Sequence, residues 1–466
     1  MTPRNRNSSA KVPCLCVNAE QPPQRTVHPR PSKRPFWLKK QGSGCFGHAI
    51  GMFNQPMKKH DVVIYGATSF VGKLVVAHFV RTHGVGRGLS WAIAGRSQAK
   101  LEAVRREQGR DADGIPILIA DGDDLPALKA MCAQARVVIS MAGPFALHGS
   151  KLVQACAETG TDYCDITGEP IWVAEMMQRH EATAKATGAR IIPFCGFDSI
   201  PSDLGVHLLQ KEAVRRFGQA CPKVRLRVMH ARGNPPGGTY ASAMDAIGKA
   251  STDAAYRKAM LDPYLICPEG HGFTAKQSHA FLPAFDRTIR QWTAHFVMGN
   301  INTRVVHRSN ALRAKAYGQA FRYEEAIAVG GGIFGWIGAQ VVTGLMLGFV
   351  TLAALPISRQ LLTRFVLPKP GEGSNLAKLA RCNFDVRLIG EIEGQAPVQV
   401  ALLGDGDPAC YATSRMIAEA GVCLAMDVDK QAVPGGFGTP ATFLGDKLVE
   451  RLHRHGQMRF SVLQPD

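Results

Sequence analysis

The stretch Asp61-Val-Val-Ile-Tyr-Gly66-Ala-Thr-Ser-Phe-Val-Gly72 constrains this fold more than any other part of the chain. Four apolar or β-prone residues run into a glycine. A second glycine follows six positions later, and Lys73–Val80 then continues with helical spacing. The order is strand, tight turn, helix. In such a unit the turn's backbone N–H groups and the helix start face outward and can hold a pyrophosphate. A large aliphatic side chain at Gly66 or Gly72 blocks the turn or the close approach of helix to strand. The motif predicts a dinucleotide-binding unit whose phosphate turn is Gly66, Thr68, Ser69, Phe70, Val71 and Gly72.

The alternation continues from 61 to about 200. Strands are expected at Val62–Tyr65, Leu89–Ala94, Ile115–Ala120, Val137–Ser140 and Arg190–Phe194. Helices are expected at Gly72–Arg81, Gln98–Glu107, Leu125–Ala133, Gly149–Glu158 and Ile171–Thr187. This pattern predicts an α/β fold, a Rossmann-type doubly wound parallel sheet over 57–200. A second, α+β domain over 201–400 is expected to contain an antiparallel sheet, with strands at Val224–His230, Ala294–Phe296, Thr303–Val306 and Cys382–Gly390. Residues 401–466 read as helices, Tyr411–Ala425 and Ala441–His453, that return to the first domain.

Charge is unevenly spread. The formal net charge is +18, but residues 1–56 hold nine basic residues against Glu20 alone, which leaves +10 for the other 410. The Pro-, Arg- and Asn-rich arm 1–56 has no folding period and no long apolar run of a secretory signal, so it reads as a disordered basic arm. A transit peptide or a natural start at Met57 stays open there. The remaining excess favours acidic ligands or anionic lipid and does not call for nucleic acid. Twelve cysteines are scattered without a Cys-x-x-Cys pair or zinc spacing, so free thiols in a reducing, cytoplasmic setting are expected and no metal. Between Glu325 and Arg359 lie 33 uncharged residues, 326–358. That is long enough to span a bilayer. Its many glycines favour two shorter helices, broken near Gly338 or Gly344, that are buried, dimer-facing or laid peripherally on a lipid surface.

Chemistry concentrates at the expected strand ends. An NAD enzyme usually has an acid after the second strand, to take the ribose 2′-OH. Here Arg96 and Ser97 stand in that place, and a guanidinium binds a 2′-phosphate bidentately, so NADP is favoured over NAD. Asp121, at the end of the third strand, is a candidate for the adenine amino group or a plain turn residue. Ala142, Gly143 and Pro144 follow the fourth strand, where such sheets bind the nicotinamide half. Tyr163-Cys-Asp165-Ile-Thr167-Gly168-Glu169 and Gly196-Phe-Asp198-Ser199 converge on the same edge. Asp198 and Ser199 are acid/base candidates or helix caps, and Asp165 is a candidate orienting group or a turn residue. Tyr163, His148 and Tyr240 are candidate proton donors by placement. No tyrosine has lysine four residues on, which removes the short-chain dehydrogenase pair.

Gly66–Gly72, Ala94–Ser97, Ala142–Phe145, Tyr163–Glu169 and Gly196–Asp203 together resemble the saccharopine dehydrogenase-like oxidoreductases. The likeness is greatest to the branch holding the trans-acting enoyl reductases and a lipid-droplet protein. Gly237–Ser242, Pro370–Gly373 and Pro434–Pro440 agree, so the resemblance covers roughly 58–463. It departs at Ser69, where the family usually has glycine. The resemblance implies a Rossmann domain, a discontinuous second domain and a nicotinamide cofactor, and it transfers no catalytic residue. The expected function is NADP(H)-dependent reduction of a lipid- or polyketide-type enoyl substrate, an acyl thioester. A cofactor-holding lipid-surface protein with little turnover and an amino-acid-type secondary-amine dehydrogenase are the alternatives. Homodimerisation stays open.

Overall fold

The computed structural model describes residues 58–233, 237–278, 280–369 and 375–464. The arm 1–56 and the segment 370–373 lie outside them. In the first half, β1 (His60–Tyr65), α1 (Phe70–Thr82), β2 (Trp91–Gly95), α2 (Gln98–Glu107), β3 (Ile117–Ile119), α3 (Leu125–Ala133) and β4 (Ala135–Ser140) alternate. They are followed by α4 (Phe145–His148), α5 (Ser150–Thr159), β5 (Asp162–Asp165), α6 (Pro170–Thr187) and β6 (Arg190–Ile192). These strands pair in parallel in the order β6–β5–β4–β1–β2–β3. Val62, Val63 and Ile64 are fully buried, as a central strand covered on both faces requires. The direction of winding reverses between β1 and β4. That places the ligand crevice at their carboxyl ends, between Tyr65 and Ser140, which are paired in register.

The second half runs α7 (Ile200–Phe217), β7 (Lys223–Ala231), α8 (Gly237–Thr252), α9 (Ala254–Leu261), β8 (Ala284–Asp286), β9 (Gln291–His295), α10 (Gly299–Leu312) and β10 (Arg322–Gly330). Then come α11 (Gly332–Ala354), α12 (Pro356–Leu361), α13 (Leu376–Ala380), β11 (Asn383–Glu391), β12 (Val398–Asp405) and α14 (Thr413–Met426). The chain closes with β13 (Gly436–Phe437), α15 (Gly445–Arg454) and β14 (Met458–Leu463). A second sheet forms in the order β14–β12–β11–β7–β10–β9–β8, with α7 packed on β11 and β12. α14 lies against β1, β4, β5 and α1, and every residue from Thr413 to Ala425 is buried. A helix apolar enough to be buried on all sides belongs in such a place.

Several expectations are corrected. Thr303–Val306 is not a strand but lies inside α10. The pair Val305-Val306 looks β-prone, yet Asn302, Val305, Val306 and Ser309 share a helical face that is buried. Asp162–Asp165 is a further interior strand, absent from the expected set because two of its four residues are aspartates. The second sheet is mixed, since β7 and β10 are parallel. Residues 401–466 do not return as helices only: β12 and β14 extend the second sheet, and β13 joins the first beside β6. The apolar segment holds the end of β10, one helix over Gly332–Ala354 with no break at Gly338 or Gly344, and the start of α12. A Cβ at Gly335 would stand 2.1 Å from the carbonyl oxygen of Gly330, so that glycine serves the helix's close start against β10.

Candidate active site

The phosphate turn is built by backbone. Gly66 has φ of +77°, a left-handed conformation that glycine adopts without penalty. A Cβ there would lie 3.0 Å from the backbone nitrogen of Ala142, so the turns after β1 and β4 touch across the crevice. At Gly72 a Cβ would lie 2.3 Å from the Gly66 carbonyl oxygen. Ser69 caps α1, its Oγ accepting from the Gly72 N–H at 3.0 Å. Its φ of −70° needs no glycine, which explains how serine stands where the resembling family has one. Thr68 is half-buried beside the turn. Phe70 packs with Leu74, Leu379 and Cys410, and Val71 joins the main core, so these two offer the crevice backbone rather than side chain. The first N–H groups of a helix lack partners within it. Here they are presented at the switch point.

Arg96 is exposed at the carboxyl end of β2, and Ser97 begins α2 without spending its side chain on a cap. Both stand at the turn after β2, where an acid would take the ribose of NAD, and no acid stands there. Asp121 is exposed after β3, with Oδ1 accepting from the Asp123 N–H at 3.0 Å. That is a turn aspartate, and no adenine contact is needed to explain it. Beside it, burial and the Asp121 charge push the Tyr65 hydroxyl up to about 12.

The ends of β4, β5 and β6 carry the polar groups. Ala142 and Pro144 are half-buried, and Gly143 is exposed. The Glu169 carboxylate accepts from the N–H of Phe145 at 3.0 Å and of Ala146 at 2.9 Å. Tyr163 is withdrawn from any proton-donor role. It is fully buried, and its hydroxyl donates to Asp165 Oδ2 at 2.9 Å. Asp165 Oδ1 also accepts from the N–H of Thr167 at 3.0 Å and of Phe194 at 3.2 Å, so this carboxyl ties the ends of β5 and β6. Burial holds it up at about 7. His148 is exposed, and its backbone sits near Gly122 in the turn after β3, at the far side of the sheet from β6. That position separates it from the nicotinamide end.

Asp198 is different. It lies between β6 and α7, half-buried, and its carboxylate has no hydrogen-bond partner among the described residues. Burial alone pushes it up to about 6. It does not cap α7, and neither does Ser199, whose hydroxyl donates to Asn302 Oδ1 at 2.8 Å. Asn302 Nδ2 donates to Glu325 Oε2 at 2.9 Å, while Glu325 Oε1 accepts from Ser202 at 2.7 Å and Tyr323 at 2.5 Å. This buried network joins α7, α10 and β10 behind Asp198. It leaves no local signal because it joins segments over 100 residues apart, as Ser199 with Asn302 and Ser202 with Glu325. Tyr240 is half-buried on α8, with no hydroxyl partner among the described residues.

Against this geometry, a model of the saccharopine dehydrogenase NADP-binding domain matches residues 62–192. A Mycobacterium tuberculosis protein, named provisionally as a trans-acting enoyl reductase, is 38% identical over 410 residues, covering 86% of this chain and 96% of its own length. A trans-acting enoyl reductase of Mycobacterium bovis is 35% identical over 404 residues, covering 85% and 96%. The chain belongs to the saccharopine dehydrogenase-like family. Among solved structures, apo saccharopine dehydrogenase (L-Glu forming) of Saccharomyces cerevisiae shares 12% identity over 86% of this chain and 99% of its own, with a TM-score of 0.48.

This saccharopine dehydrogenase-like chain fits the NADP(H) of its family's binding domain. The cradle at Gly66 and Gly72 is one that a Cβ would fill, the start of α1 faces it, and Arg96 stands where an acid would select NAD. Away from the crevice, ligand-capable atoms of His78, His83 and Glu419 lie within 4.8 Å of one another. Both imidazoles bond to one Glu419 oxygen, at 2.8 and 3.0 Å, and Arg451 donates to the other. The buried carboxylate is thus neutralised by the chain itself, as a structural staple of α1, α14 and α15 would be. The described cysteines are free.

Proposed function

We propose that this chain reduces the α,β double bond of an enoyl thioester at the expense of NADPH. The observation that carries the reading is the 38% identity with an enoyl reductase homologue across nearly that protein's whole length, on a crevice equipped for NADPH. When bound, NADPH supplies the two electrons of the reduction. The turn 66–72 and the start of α1 hold its pyrophosphate, Arg96 and Ser97 its 2′-phosphate, and Ala142–Pro144 wall the nicotinamide half. Asp198 is the proton donor for the α-carbon. A carboxyl raised to about 6 retains a proton in a useful fraction near neutrality, and no hydrogen bond from the described residues ties up its oxygens. The second domain shields the crevice from water through α8 and the Ser199–Asn302–Glu325 network.

The reaction's setting is read as cytoplasmic, at a lipid surface. α11 is apolar along its length, yet only 11% of its most apolar window is buried. Phe334 is 85% exposed, and Leu345, Leu347, Ile357 and Phe365 are also open to solvent. Arg364 beyond it is exposed and can meet anionic headgroups. A second copy of the chain is the rival cover for this helix.

The test is NADPH oxidation by the purified full chain. Crotonyl and longer enoyl thioesters should be consumed with one NADPH each. Oxidation only with mixtures of amino acid and 2-oxo acid would replace this reading with secondary-amine chemistry, and none with either would favour a cofactor-holding protein.

A further inference from the structure

Glu169 is the N-cap residue of α6 but does not cap it. Both its oxygens turn instead to α4. Oε1 accepts from the Phe145 N–H and Oε2 from the Ala146 N–H, at 3.0 and 2.9 Å. These are the first amides after the Gly143–Pro144 wall. Oε1 also accepts from Ser242 Oγ of α8 at 2.7 Å. Among the described residues this is the only hydrogen bond from α8 to the dinucleotide-binding domain, and no cation pairs with Glu169. A half-buried carboxylate held by neutral donors alone makes each of them count, since bonds to a charged acceptor are the strong ones.

The other side of α8 faces the apolar helices. A Cβ at Gly237 would collide with the carbonyl oxygen of Lys369, 1.9 Å away, and Gly248 lies against the Arg359 guanidinium. α8 also packs along α11. It therefore stands between the exposed apolar helices and the cofactor-side loop, and it carries Tyr240 two positions from the latching serine.

We propose that Glu169 is a positioning residue: with Ser242 it latches α8 over the crevice and sets the Gly143–Pro144 wall in the same act, so that seating of the helix and readiness of the cofactor loop are coupled. Admission of a substrate past α8 opens one hydrogen bond, Ser242 to Glu169, which closes again over the bound thioester, while the two amide bonds hold the wall throughout. The catalytic arm of this inference rests on the enoyl-reductase reading, and the structural arm does not.

The experiment uses the full chain, NADPH and crotonyl-CoA, with Ser242→Ala, Glu169→Gln and Glu169→Asp. Amide hydrogen exchange is followed in peptides covering 143–148 and 239–248. Coupling predicts that Ser242→Ala raises KM for crotonyl-CoA about tenfold, changes NADPH affinity less than about twofold, and speeds exchange in both peptides. Glu169→Gln should speed exchange in both and lower kcat as well, with Glu169→Asp partly restoring kcat. If Glu169→Gln speeds exchange in 143–148 alone and Ser242→Ala leaves KM unchanged, Glu169 is a local helix cap and the proposal is overturned. Should Glu169→Gln not fold, the Ser242→Ala exchange pattern decides. If the unmodified chain does not turn over enoyl thioesters, the functional reading fails, while coupled exchange still supports the latch and uncoupled exchange still removes it.

Discussion

In the proposed reaction, Arg96 and Asp198 carry the most chemical weight at the scale of single residues. The sequence places Arg96 after β2, where an acid would favour NAD and a guanidinium favours a 2′-phosphate, and the structure leaves it exposed there. Arg96→Asp should reverse preference from NADPH to NADH. Loss of a charged contact costs about 1.5–3 kcal/mol, roughly ten- to a hundredfold in affinity. Calorimetric titration checks it, and equal affinities of the unmodified chain for the two cofactors would contradict it. Asp198 was legible as a candidate but not as the leading one. Its distinction is that its carboxylate has no hydrogen-bond partner among the described residues, which spacing cannot reveal. Tyr163 was equally well placed in sequence, and only packing shows its hydroxyl committed to Asp165. A proton donor must carry its proton, so the kcat/KM of enoyl reduction should fall as pH rises through about 6. Asp198→Asn should lose that limb and roughly 10²–10⁴ of the rate. A pH profile with the same limb in the variant would remove Asp198 from the mechanism.

Among the elements, those with strong periodicity were the readable ones. β1 and α1 follow from an apolar run, two glycines and a helical stripe. β5 escaped notice because its aspartates are exceptions to strand composition. Asp162 answers a buried Arg190 at 2.5 Å, and Asp165 answers three donors, so the strand is polar for reasons lying far along the chain. α10 was mistaken for a strand because Val305-Val306 was weighed alone. α11 shows the reverse error. Its glycines argue for a break, each costing roughly 1 kcal/mol in a helix, yet Gly335 gains close approach to β10. The helix leaves its apolar side chains exposed, which predicts peripheral membrane association. Washing membranes at alkaline pH should release the protein. Complete retention would favour a span, and a protein wholly soluble at low salt that sediments as a dimer would assign the face to a second copy.

At the scale of the whole molecule, two sheets share the C-terminal segment: α14 covers the first while β12 and β14 complete the edge of the second. The sequence shows the α/β alternation but not this interleaving, because register between segments hundreds of residues apart leaves no local signal. Both halves meet at the crevice, where the phosphate turn comes from one and α8, through Ser242 on Glu169, from the other. Delivery of reducing equivalents from this crevice to an enoyl thioester leaves one direct signature. Single turnover with NADPH deuterated at the transferring C4 position, in ordinary water, should place one deuterium on the β-carbon of the saturated thioester and a solvent hydrogen on the α-carbon, read by mass spectrometry and NMR. A saturated product without deuterium at the β-carbon, or NADPH oxidised with the thioester unchanged, would contradict it.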